Sequence, residues 1–235
     1  MEDIVGGFIR AFHLLTGFDA TLVEIVGRSL MVSLSAVALA AAIGLPLGAT
    51  LALARFPGRR ACLILVNAAM GLPPVVVGLA LYLLMSRSGP FGVFGLLFTP
   101  EAMIIAQAVL VAPIITALTR QAVEDLWRDY HEHLRSLGAT PLRAVPTLLW
   151  DGRVALFTAL LAGFGRASAE VGAVMIVGGN IDHVTRVMTT AIALETSRGD
   201  LALALALGLV LLTVALAVNV AAFLAQERAA RSQMS

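Results

Sequence analysis

The sequence contains no lysine, because all sixteen basic residues are arginine. A Walker A loop needs its lysine to reach the nucleotide phosphates, so ATP hydrolysis by that route is not expected of this chain. There is one cysteine, Cys62, which excludes an intrachain disulfide framework. Charge is scarce as well. Only 13% of the 235 residues are charged and the net charge is +1, against about 25% charged in a soluble domain. That balance offers no basic field for nucleic acid. What is abundant is hydrocarbon: 59% of residues are hydrophobic and mean hydropathy is +0.93. One globular core cannot hide that excess, so the solvent for most side chains must be lipid.

A spanning helix needs about 20 apolar residues to cross a hydrocarbon core of about 30 Å. Five stretches qualify: 25–53, 61–85, 101–119, 154–178 and 201–225. Lipid satisfies no backbone hydrogen bonds and no stretch alternates as a barrel strand does, so all five are expected to be helices. The arginines orient them. Placing the first connection inside groups Arg55, Arg59, Arg60, Arg120, Arg128, Arg135, Arg143, Arg153, Arg228 and Arg231, ten of the sixteen, on one face. The positive-inside rule then predicts the N-terminus out and the C-terminus in. Glu2 and Asp3 stand where a secretory signal carries basic residues. Ile4, Val5, Phe8, Ile9, Phe12 and Leu15 recur at helical spacing, which predicts a short interfacial segment over 1–21, with a plain disordered terminus as the alternative. The whole chain, 1–235, reads as a single transmembrane domain.

Between the third and fourth stretches lies a charged, aromatic island, 120–153, expected on the cytoplasmic side. Leu126, Trp127, Tyr130, Leu134 and Leu137 keep one apolar face and extend the third helix. Gly138 is placed to close that helix with a left-handed backbone. Thr140 as N-cap and Pro141 at the first helical position predict a second short helix through Trp150, with Pro146 kinking or ending it. By shape alone this is an interfacial anchor or a docking knob. His131-Glu132-His133 lacks zinc spacing, and no G-x-S-x-G elbow is present.

Glu132, Leu137 and Gly138 resemble the EAA motif of ABC importer permeases, with His133 and Leu134 where two alanines are usual and Trp150-Asp151 replacing the usual Leu-Pro close. The stretch Glu170-Val171-Gly172-Ala173-Val174-Met175-Ile176-Val177-Gly178-Gly179-Asn180-Ile181 is similar to the fourth-span signature of oxyanion permeases for tungstate, molybdate and sulfate, nearest the tungstate branch. Leu72-Pro73-Pro74-Val75 and Gln107-Ala108-Val109-Leu110 resemble that branch too.

The resemblance implies a minimal all-α, type I importer-like fold. It also implies a multi-pass chain in the cytoplasmic (inner) membrane of a bacterium or archaeon. Glu132, His133, Leu134, Leu137, Gly138, Ala139, Thr140 and Pro141 would couple to an ATP-binding cassette subunit, which would hold ATP and Mg. No cofactor is expected on this chain. A second permease copy and an extracytoplasmic solute-binding protein would complete the machine. Its substrate would be tungstate, with molybdate or sulfate as alternatives. The rival from another class is an ion-coupled secondary carrier with Glu170 and Arg166 as its coupling pair.

The residues suggest where an anion passes. Arg166 and Glu170 lie one turn apart in the fourth stretch, and an ionisable group at a helix centre costs about 2.5–3.5 kcal/mol, so neither should face lipid. They form either a structural ion pair or part of an anion path. Pro73 and Pro74 must break the second helix, and Pro46 and Pro113 carry the same expectation more weakly. Asn180, Thr185 and Thr189 offer donors suited to a tetrahedral oxyanion, or else cap helices in a polar outer loop. If Arg166 lines the path, Arg166→Gln lowers uptake while the complex still assembles; normal uptake by a folded variant would exclude that role.

Overall fold

A computed structural model describes residues 12–13, 16–17, 19–136 and 138–233. Leu137 and the predicted N-terminal positions Ile4, Val5, Phe8, Ile9 and Leu15 lie outside the described residues; Phe12 is exposed. The described residues contain helices and no strand. In chain order the helices are α1 (Ala20–Leu53), α2 (Arg59–Met70), α3 (Pro74–Met85), α4 (Pro100–Ser136), α5 (Val145–Asp151), α6 (Arg153–Ser168), α7 (Gly172–Gly178), α8 (Met188–Arg198) and α9 (Leu201–Gln233). A single 3-10 turn, Gly92–Phe94, sits between α3 and α4. Among the described residues, α1, α4 and α9 are long and apolar enough to cross a membrane. The number rises to five if two bent pairs, α2 with α3 and α5 with α6, each count as one span.

The stretch 61–85 is broken at Pro73 and Pro74 as expected: Pro73 takes an extended backbone (φ −64°, ψ 123°) as the N-cap of α3 and Pro74 begins it. Other expectations are corrected. The stretch 154–178 is interrupted after Ser168 and resumes at Gly172, so Glu170 is not on a continuous helix with Arg166. Pro46 and Pro113, by contrast, stay inside uninterrupted α1 and α4. The second island helix starts four residues later than expected. Ala144, not Thr140, precedes it, and Pro146 lies in its first turn rather than ending it. Proline is harmless there because the first amides have no intrahelical acceptor. The polar segment after α7 contains a helix, α8, that hydropathy alone concealed.

The contacts group into two compact units. One comprises 1–36, 73–107 and 167–217. Its core joins Leu22 and Ile25 of α1, Met188 and Ala191 of α8, and Ala206 and Leu207 of α9. Within it α3 lies against α7 with almost no side chain between them. A Cβ on Gly78 would stand 2.7 Å from Ala173 Cα, and one on Gly172 would stand 2.8 Å from Val75 Cγ2.

The other unit comprises 37–72, 108–166 and 218–235. Its core holds Ala49 and Leu53 of α1, Val123 of α4, Ala144, and Leu148 of α5. Here too small residues bring backbones together. A Cβ on Gly48 would meet Thr116 O at 2.5 Å, and one on Gly163 would meet Val111 Cγ1 at 2.9 Å. At the 76° bend between α5 and α6, a Cβ on Gly152 would meet Leu126 Cδ1 at 2.9 Å. Small residues are how helices approach closely where no hydrophobic force separates lipid from core.

Overpacking the tightest of these contacts should loosen its unit. Gly78→Ala is expected to cost about 1–3 kcal/mol, because the clash is with backbone that cannot rotate away. A lowered thermal unfolding midpoint in detergent checks it, and an unchanged midpoint counts against the close approach.

Candidate functional site

The island is built on the last turns of α4. Gly138 closes that helix with φ 77°, a left-handed conformation that glycine adopts without a Cβ penalty. Its amide donates to Arg135 O at 2.9 Å, and the Ala139 amide donates back to Leu134 O at 2.9 Å, so two orphan carbonyls are satisfied. The chain then turns through Thr140–Arg143 into α5. Glu132, His133, Gly138 and Thr140 are exposed, while Leu134, Ala139 and Pro141 are half-buried. Trp150 is 71% exposed, and the Arg153 guanidinium sits 5.5 Å from its ring centre. An amphipathic ring in water is a recurrent feature of contact surfaces.

Beneath the island lies a charged junction that sequence reasoning missed. Glu124 of α4 accepts from Arg59 at 2.7 Å through one carboxylate oxygen and from Arg120 at 2.5 Å through the other. Arg59 also donates to the last carbonyls of α1, Leu51 O at 2.7 Å and Ala52 O at 3.3 Å. One guanidinium therefore caps α1, opens α2 and grips α4. The i,i+4 spacing of Arg120 and Glu124 was the legible signal; the third member, 65 residues away, was not.

The second site lies in the other unit, at the interruption between α6 and α7. A broken helix leaves carbonyls and amides without ladder partners, and at membrane depth they must be satisfied by protein or by a wet cavity. Three of them are met here by side chains. Gln107 Nε2 donates to Ala167 O at 3.1 Å. Thr189 Oγ1 donates to Glu170 O at 2.8 Å. The Glu170 carboxylate accepts from the Ala173 amide at 3.0 Å and starts α7. That bond satisfies a first-turn amide of α7 that has no ladder partner. Glu170 is 3% exposed and Arg166 is half-buried.

Asn180, Thr185 and Thr189 serve the backbone in this arrangement. Asn180 adopts φ 50° and its amide reaches Thr190 O at 3.4 Å. Thr185, fully buried, donates to Gly178 O at 2.6 Å and accepts from the Ile181 amide at 2.9 Å. Ser29 of α1 accepts from the first amide of α8, that of Met188, at 2.7 Å. Gln107 and Ser29 are the partners that the sequence reading did not single out. Gln107 was visible as the lone amide in an otherwise apolar run, but its role depended on Ala167, 60 residues away.

A membrane-embedded helical chain with an interrupted helix and an exposed amphipathic island is a permease architecture. Residues 44–232 match the family described as the binding-protein-dependent transport system inner membrane component, and the chain belongs to that family. It is a multi-pass permease.

Among its relatives is the tungstate uptake system permease protein TupB of Peptoclostridium acidaminophilum, 41% identical over 97% of this chain and 100% of that one. A probable anion ABC transporter permease protein of Haloferax volcanii is 42% identical over 84% of this chain and 88% of its own. TupB of Campylobacter jejuni is 39% identical over 93% and 92%. The sulfate transport system permease protein CysT of Salmonella typhimurium is more distant, 30% identical over 69% and 61%.

Glu124→Gln should weaken both ion pairs together. Since the three side chains are half-buried, a loss of about 1–2 kcal/mol is expected. Thermal unfolding of the purified chain measures it. An unchanged midpoint would show that the junction contributes no net stability.

Proposed function

We propose that this chain is the membrane-spanning permease subunit of an ATP-driven importer for tungstate. The observation that carries the reading is likeness to tungstate uptake permeases along nearly the whole chain, not over one motif. Sulfate permeases share less sequence over less of the chain, which ranks sulfate below tungstate; molybdate is the nearest chemical neighbour.

In this reading five spans place the N-terminus outside and the C-terminus inside, following the arginine distribution. The segment 120–153 faces the cytoplasm. Two copies of the chain form the pore, two ATP-binding subunits carrying ATP and Mg lie beneath, and an extracytoplasmic solute-binding protein delivers the anion. The exposed Glu132 and His133, with Leu134, Leu137, Gly138, Ala139, Thr140 and Pro141, dock on the ATP-binding subunit. Closure of the nucleotide subunits moves that element and swings the spans between inward- and outward-facing states.

The path is lined near the two backbone interruptions, at Pro73 and Pro74 and at Arg166 and Glu170, with Asn180, Thr185 and Thr189 beyond. Support for this placement is physical: interrupted backbone inside a membrane is tolerated where it lines a cavity or is buried in protein. This chain itself is not catalytic, since the lysine of a phosphate-binding loop is missing.

Uptake by the intact complex, with tungstate, molybdate and sulfate in competition, tests the substrate. Tungstate is expected to be taken up in preference to sulfate, and uptake is expected to stop when the ATP-binding subunit is inactivated. Preference for sulfate would overturn the substrate assignment. Uptake that survives loss of ATP hydrolysis but collapses with the ion gradient would favour a secondary carrier.

A further inference from the structure

We infer that a groove beside the docking element receives a carboxylate-bearing residue with an apolar neighbour, presented by the ATP-binding subunit. The inference rests on the function proposed above and adds the chemistry of the partner's contact.

The groove has a volume of about 490 Å³ and lies within one compact unit. Its walls come from the end of α1 and the chain just after it (Arg55, Phe56), from α4 (Trp127, Arg135), and from the turn before α5 (Pro141, Leu142). Two arginines line it and no aspartate or glutamate does. Four nearby arginines are committed elsewhere, Arg59 and Arg120 to Glu124, Arg128 to Asp125, and Arg153 to Trp150, while the exposed Arg60 and Arg143 lie outside the lining. Among the described residues, the guanidiniums of Arg55 and Arg135 have no hydrogen-bond or ion-pair partner.

Two uncompensated guanidiniums facing one concavity create a positive potential. Their planar donors match a carboxylate, which each can hold through paired N–H groups. The rest of the lining is hydrocarbon and aromatic, with Phe56 41% and Leu142 57% exposed at its edges. Such walls suit an apolar side chain beside the carboxylate, the pairing found at the centre of tight interfaces. A protein occupant is favoured over an anionic lipid because Thr140 and Pro141 of the docking element form part of the wall. A subunit that engages the element is thereby brought to the groove.

The test uses the complete transporter in nanodiscs, made once with neutral phosphatidylcholine and once with added phosphatidylglycerol. The double variant Arg55→Glu/Arg135→Glu is compared with the milder Arg55→Gln/Arg135→Gln. Arg60→Glu, an exposed charge outside the groove, controls for general electrostatics. Affinity for the ATP-binding subunit should fall at least about tenfold with charge reversal, and by less with glutamine. The fall should be equal in both lipids and absent in Arg60→Glu. The glutamine pair keeps the measurement decisive if the reversed pair does not fold.

Undiminished affinity in a folded double variant overturns the inference. So does a loss of function that depends on phosphatidylglycerol while subunit affinity is unchanged, which would assign the groove to lipid phosphate. If the unaltered chain itself fails to hold the ATP-binding subunit, the proposed function falls, and that result is distinct from both.

Discussion

In a chain this apolar, every interruption of a helix exposes backbone groups that lipid cannot satisfy. Around residues 167–173 side chains answer that constraint at three groups. Ala167 O is taken by the Gln107 amide, Glu170 O by the Thr189 hydroxyl, and the Ala173 amide by the Glu170 carboxylate. The first amide of α8 goes to Ser29. These few polar side chains decide where helices stop, and so decide which segments can be short. α7 is seven residues long and α3 twelve, too short to cross a bilayer alone. Their close approach at Gly78 and Ala173 is possible because Gly78 has no Cβ.

The other unit is organised around charge. Glu124 holds Arg59 and Arg120 at once, and Arg59 closes the end of α1. A carboxylate shared by two guanidiniums, with two backbone carbonyls of α1 accepting from Arg59, ties three helices at one point. The exposed island stands on the same helix as Glu124, about two turns further along. In the proposed docking role the island gains from a base that does not move independently of it, since binding is weakened by any freedom lost on contact.

Much of the architecture was legible. α1, α4 and α9 follow directly from long apolar runs, and the extension of α4 into the island follows from the spacing of Leu126, Trp127, Tyr130 and Leu134. Gly138 was readable as a helix end because few other residues tolerate its backbone. Thr140 and Pro141 misled, since a plausible cap and first-turn proline describe a local option. The start of α5 was settled instead by packing of Ala144 and Leu148 against Leu53 and Val123. Pro46 and Pro113 misled in the opposite direction. A long helix with neighbours on several sides can keep its course through a proline whose freed carbonyl finds another partner. α8 was hidden because its core contacts, Met188 and Ala191, are spread among threonines and charges.

The sequence alone determined that this is a lipid-embedded helical chain, which residues are too polar to face lipid, and what family it resembles. Those are properties of composition, periodicity and local motif. Tertiary structure alone decided what the polar residues do. Glu170 begins a half-helix, Thr185 and Thr189 serve carbonyls, Gln107 repairs a broken ladder, and Arg59 bridges helices to Glu124. The physical reason is that a hydrogen-bond donor in a low-dielectric interior goes to whichever unsatisfied acceptor the fold brings within about 3 Å. That acceptor can lie dozens of residues away, beyond the reach of any local pattern.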